Sequence, residues 1–486
     1  MPAEPTPIFV ALVIFVVIMI FNLIIFIHEL GHFWAAKWRG LKIDRFQIWF
    51  GKPIWSKTIN GVQYGLGWIP AGGFVALPQM APMEAIEGNN REDGEPLPPI
   101  SPLDKIIVAF AGPLFSFLLA LTAACVITVV GKPLETVPTT IIGYVQPGSP
   151  GEAAGLKRGD KILAIDGEPV DMWHGTNSSV VIRTVTGRSD KLTYSIDRPG
   201  VGKMDIISEF EIPETAWWQR RATRQVGLSP MSGPVEVLQI TGENAPITNA
   251  GLKVGDVIVS INGVEAITAS QVIDQIGENG EKPMEITYRP KSEEGASAEK
   301  TVTVTPTRPI DPGPGLDRPM IGAMFDSRGE VKEEWVHPGP FHQIKDTLQS
   351  MWLTITSVAS PNSSIGIQHL SGPVGIGKIQ YYTLLMDHPV NRILGFLVLI
   401  NINLAILNML PFPVLDGGHI TIATMEAIAK RPVNFKFLEM IQLAFVFLLF
   451  GIMLYVTSKD IPDNFGMGGG GGEAPSKIIF PAPETE

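Results

Sequence analysis

FIHELGHFWAAKWRG, residues 26–40, follows a run from Ile8 to Ile27 made almost wholly of Ile, Val, Leu, Phe and Met. Such a run belongs in hydrocarbon, where an ionisable side chain is costly and therefore marks function. This one nevertheless ends in His28, Glu29 and His32. On a helix, positions i and i+4 share a face, so both imidazoles can reach one ion, with Glu29 alongside. Imidazole suits zinc, and a catalytic zinc commonly takes three protein ligands and a water. The pattern predicts a metal-activated water with Glu29 as general base.

Three further windows, 106–130, 393–413 and 437–457, are comparably apolar in a chain that is 45% hydrophobic. Each is long enough as a helix to cross a ~30 Å hydrocarbon core. The sequence therefore predicts a polytopic α-helical membrane protein with four transmembrane helices and a folded soluble insert. The leader MPAEPTP carries Glu4 and no basic side chain, which argues against a cleaved signal peptide. Lys37, Arg39, Lys42, Arg45, Lys52 and Lys57 follow the first span, and Lys430, Arg431 and Lys436 lie between the third and fourth. The positive-inside rule puts both stretches in the cytoplasm and the insert outside it. A net charge of −11 without a basic stripe gives nucleic acid no foothold. The single cysteine, Cys125, excludes an intramolecular disulfide and reads as a small core filler.

After the first span comes IDRFQIWFGKPIWSKTINGVQYGLGWIPAGGFVAL, residues 43–77, in which Asn60-Gly61 separates two stretches of β-formers. This predicts a β-hairpin, either on the cytoplasmic surface or dipping into the membrane, where its backbone must be buried in protein or line a wet cavity. Residues 80–103 are acidic and proline-rich and read as a loop.

The insert repeats itself. SPGEAAGLKRGDKILAIDGEPV (149–170) and NAPITNAGLKVGDVIVSINGVEA (244–266) share A-G-L-K-x-G-D-x-I-x-x-I-x-G. Each copy resembles a PDZ domain, which implies two extracytoplasmic PDZ-like α+β domains, 132–230 and 231–335, able to take peptide on a sheet edge. Residues 336–390, beginning near the amphipathic PFHQIKDTLQSMWLTITSVAS, read as a membrane-surface segment. Residues 461–486 read as a Gly-rich flexible tail.

A third metal ligand is needed, and NMLPFPVLDGGH (408–419) offers Asp416 beyond an apolar run broken by Pro411 and Pro413. A carboxylate at membrane depth needs a partner, and a dication is a good one. His419 competes for that place, with a cap or loop side chain as its plainer reading. His174, His337, His342, His369 and His388 lack the i, i+4 pairing and read as ordinary. Asn401 and Asn403 suit interhelical hydrogen bonds, whereas Asn408, close to the Asp416 turn, can aim a donor at a developing oxyanion.

The H-E-x-x-H of the first span, the N-x-x-P-x-P-x-x-D-G of the third and the paired PDZ-like repeats together resemble the site-2 protease family of intramembrane zinc metalloproteases. The resemblance spans nearly the whole chain. It implies His28, His32 and Asp416 as zinc ligands, Glu29 as catalytic base, and Asn408 as a substrate-contacting residue. It implies that the hairpin takes substrate as an added strand and that the PDZ pair acts as a size filter. It implies further a bacterial inner membrane location and single-span membrane substrates, such as an anti-sigma factor or signal-peptide remnants, cut in regulated intramembrane proteolysis. GPLFSF (112–117) departs from the family pattern by placing Ser116 where Asn is usual, which puts a packing or substrate detail in doubt. Two rivals remain: a metal-dependent scaffold that makes no cut, and a peptidase for soluble peptides merely anchored by its spans.

Overall fold

The computed structural model describes residues 6–80, 100–231, 234–291, 298–310, 317–326, 331–430, 435–464 and 479–481. Among them, Pro7–Arg39, Pro102–Val130, Pro389–Asn408 and Leu438–Ile461 are helices long and apolar enough to cross a bilayer. Their outward faces carry exposed Leu12, Phe15, Leu23, Leu443, Phe447 and Phe450, an apolar surface suited to lipid. Cys125 lies on such an outward face and is exposed. The expectation of a core filler is therefore corrected: the second span packs through Ala120, Ala123, Ala124 and Ile127 instead.

The chain forms two compact units. The first comprises residues 1–133, 335–352 and 371–460. Its first helix is started by Thr6 and Pro7 and stopped by Gly40 at φ 74°, with Lys37 and Arg39 facing the negative end of the dipole. H-E-x-x-H thus lies within an unbroken helix. The first and second spans cross very closely, because a Cβ on Gly31 would stand 2.3 Å from the Ala111 carbonyl oxygen. The third span ends at Asn408, and after residues 409–415 a new helix, Asp416–Ala429, begins and packs on the second span. Residues 81–99, most of the acidic segment, lie outside the described residues.

The hairpin is formed by Arg45–Ile59 and Val62–Ala76, antiparallel about Asn60-Gly61. Both strands bend. Phe46 pairs with Tyr64 on one side and Val75 on the other, and Trp55 pairs with Leu66. The two strands therefore make a small sheet in which 45–48 lies between 63–66 and 73–76. Phe46, Val75 and Leu77 pack with Phe33 and Val108, which fixes this sheet against the first two spans.

The second unit contains residues 134–334, 353–370 and 461–486. Its repeats fold alike. Lys161–Ile165 pairs with Leu192–Arg198, which pairs with Gly202–Ser208; in the second copy Val257–Ile261, Met284–Arg289 and Lys300–Val304 do the same. Asp160 Oδ2 accepts the Lys157 N–H at 2.8 Å, and Asp256 Oδ2 accepts the Lys253 N–H at the same distance. Asp166-Gly167 and Asn262-Gly263 take positive φ in matching turns. Each copy closes over its own apolar core.

The expectation of a wholly flexible tail at 461–486 is corrected at one place. Phe480 is fully buried in the core of the second copy, beside Ala245, Ile247 and Ile321. Its N–H donates to the Glu243 carbonyl at 3.0 Å, and the Ile479 carbonyl accepts from Ile310 at 2.8 Å. An apolar side chain with a vacancy to fill gains more by burial than it loses by ordering.

Candidate metal centre

Helical spacing brings His28 and His32 onto one face of the first span, with ring centroids 5.0 Å apart. The break after Asn408 then turns Asp416 toward them. Pro411 and Pro413 have no N–H to continue a helix, and the next helix restarts at Asp416. A Cβ on Gly417 would meet the Met409 and Leu410 carbonyls at 2.2 and 2.4 Å, so only glycine lets the new helix fold back so tightly. All three side chains are buried.

Three potential donor atoms converge. His28 Nε2 lies 3.3 Å from His32 Nε2 and 3.3 Å from Asp416 Oδ2, while His32 Nε2 lies 3.4 Å from Asp416 Oδ1. Four ligands at zinc–nitrogen distances of about 2.0–2.1 Å in a tetrahedron stand about 3.3–3.4 Å apart, so the triangle has the size zinc requires. The chemistry agrees. His32 Nδ1 lies 2.8 Å from the Val108 carbonyl, which can only accept, so Nδ1 carries the hydrogen and Nε2 offers a lone pair. His28 Nδ1 is held by Ser116 Oγ at 2.9 Å. Lone pairs and a carboxylate gathered in a buried site repel one another unless a cation lies between them. Among the described residues this is the one group of three or more His, Cys, Asp or Glu arranged to hold a metal ion.

Room for an ion depends on glycine. A Cβ on Gly112 would stand 2.2 Å from His32 Nε2 and 2.9 Å from His28 Nε2. Glu29 lines a small cavity with His32, Val75, Val108, Ala109 and Asp416. Asn408 Nδ2 stands 3.4 Å from His28 Nε2, so its amide points into the same cluster.

The structure therefore gathers every sequence-predicted site residue, His28, Glu29, His32, Asn408 and Asp416, at one place. His419, read as a cap or loop side chain, is instead buried in the first turn of the Asp416 helix and outside the donor triangle. Gly112 and the Val108 carbonyl were not singled out as site groups by sequence. Ser116, noticed only as a departure, is fully buried and touches a metal-ligand candidate.

The sequence profile of peptidase family M50 matches residues 15–452, from the first span through both motifs and into the fourth. This chain belongs to peptidase family M50. As a site-2 protease it is a zinc metalloprotease, and its donor triangle fits that metal. The M50 chain is 29% identical over 425 residues to the regulator of sigma E protease of Haemophilus influenzae, covering 84% of this chain and 89% of that one. It is 25% identical over 437 residues to the regulator of sigma-E protease RseP of Escherichia coli, covering 86% and 91%. A PDZ domain of an SdrC-like protein from Listeria innocua aligns with 19% of the M50 chain and 94% of its own length, at 26% identity and a TM-score of 0.16.

Proposed function

We propose that this site-2 protease hydrolyses a peptide bond within or near the membrane-spanning segment of single-span membrane proteins. The observation that carries the reading is the triangle of His28, His32 and Asp416, with both histidines on a helix apolar enough to lie in lipid and Asp416 shortly after another. These three residues would hold zinc, which supplies Lewis acidity that activates a water and polarises the scissile carbonyl. Glu29, in the cavity beside the triangle, accepts the proton of the attacking water and delivers it to the departing amine. Asn408 donates from its amide to the oxygen that gains charge as the carbonyl is attacked.

A helical amide is already hydrogen-bonded and shielded, so the substrate must be extended where it is cut. The strand stretch 73–76, which lines the Glu29 cavity through Val75, offers a template for that conformation. Positive-inside bias supports a cytoplasmic placement of the metal centre and an extracytoplasmic placement of the repeats, in a bacterial inner membrane. The repeats, 132–230 and 231–335, serve as PDZ-like domains that screen substrates. The relatives named as regulators of sigma E support an anti-sigma factor as the substrate class, with signal-peptide remnants as another single-span candidate.

The test is cleavage of a single-span reporter by the purified full chain and by Glu29→Gln, with zinc measured in both. Loss of product with zinc retained supports the reading. Equal cleavage by both proteins would discard it, and cleavage confined to soluble peptides would favour a merely anchored peptidase.

A further inference from the structure

Among the described residues, the fourth span contributes nothing to the proposed ligand group, yet it holds the segment that delivers one of its members. Gln442 on this helix is 2% exposed, and its Nε2 donates to the Pro413 carbonyl at 2.9 Å. Three residues further along the helix, Phe445 stacks on Phe412 with ring centroids 5.1 Å apart. Both contacts fall on residues 409–415, the connection between Asn408 and Asp416. That connection has unusual needs. Pro411 and Pro413 remove two backbone donors, so its carbonyls must find partners elsewhere or stand unpaired at membrane depth. A Pro413 carbonyl offers only an acceptor, which fixes the Gln442 amide with its N–H toward the loop.

From this we infer that Gln442 is a positioning residue for the metal centre: it anchors the Pro413 carbonyl and thereby the place of Asp416 three residues later. The inference rests on the metal-centre reading above. Gln442 touches no reacting atom; it acts through the loop. Without its donor, the Pro413 carbonyl is unpaired and the loop is free to turn it toward another partner. The helix that starts at Asp416 shifts with it, and a ligand displaced by a few tenths of an ångström binds zinc less well. Outer partners of metal ligands are commonly worth about 10–100-fold in metal affinity. The opposite end of the span is pinned separately. Asp460 Oδ2 accepts the Gly372 and Gly375 N–H groups at 3.0 and 2.9 Å, so the helix stays in place when Gln442 is changed.

The experiment uses the full chain in nanodiscs, with zinc affinity measured by chelator competition and ligand geometry by the visible spectrum of the cobalt-substituted protein. Gln442→Leu is compared with Leu443→Ala, its exposed neighbour on the same helix. Gln442→Leu should weaken zinc binding about tenfold or more and alter the cobalt spectrum, with Leu443→Ala matching wild type. Affinity and spectrum unchanged in Gln442→Leu would overturn the inference while leaving the metal centre standing. Wild-type protein that takes up no stoichiometric zinc would overturn both. Should Gln442→Leu fail to fold, Gln442→Met, unbranched and of similar length, carries the same prediction.

Discussion

Ser116 Oγ stands 2.9 Å from His28 Nδ1, so the side chain that departs from the family pattern is the one that orients a proposed metal ligand. Ser116 is fully buried and lies on the second span, whereas His28 lies on the first. A hydroxyl can accept from Nδ1–H and leave Nε2 free for a metal, which an apolar side chain cannot do.

Ser116→Ala should therefore weaken zinc binding by about 10–100-fold and lower cleavage in parallel. Ser116→Asn, which restores the residue usual in the family, should keep more zinc than Ser116→Ala. Chelator titration of the purified variants checks both statements.

Gly112→Ala should be more damaging than its single added carbon suggests. That carbon would lie 2.2 Å from His32 Nε2, so the second span or the imidazole must move. A displacement of about 1 Å at a reacting centre can cost on the order of 100-fold in rate. The expected result is loss of stoichiometric zinc and a fall in cleavage of at least about that size, read by metal analysis and reporter assay.

Asn408→Ala separates catalysis from metal holding. The amide lies beside the donor cluster but outside the triangle of candidate ligands. Zinc content should stay at the wild-type level while kcat falls by about 100–1000-fold, the usual loss on removing one oxyanion donor. A change confined to KM would assign Asn408 to substrate binding alone.

Phe480→Ala tests the docked tail. Phe480 is fully buried among Ala245, Ile247 and Ile321, and truncating such a ring costs about 3–5 kcal/mol. Hydrogen exchange of the Met284–Arg289 strand should speed up markedly, while that of Leu192–Arg198 in the other repeat stays unchanged.

Much of the site was legible because its chemistry sits in residue types that lipid normally forbids. His28, Glu29, His32 and Asp416 stand out against apolar neighbours, and the two prolines mark where the third span must break. The repeat was legible because turn geometry demands particular residues at fixed offsets: Gly155 and Gly251 take φ of 84° and 87°. What escaped were features made by proximity between distant segments. Gly112 reads as a packing residue until the His32 ring is placed beside it, and Cys125 reads as core until the helix face is known. Gln442 is one polar residue in an apolar run, with nothing local to say that it meets Pro413. Phe480 follows a glycine tract whose composition suggests only disorder.

The seal made by Phe480 has a consequence for biogenesis. Translation proceeds from the amino end, and domains ordinarily close as they emerge. Here the interior of the second repeat is completed by an aromatic ring encoded after the fourth span. The chain must be made past the fourth span, as far as Phe480, before that part of the protein reaches its final stability. Half-inserted chains would thus carry a loosened repeat, open to quality-control proteases, whereas fully inserted ones would not.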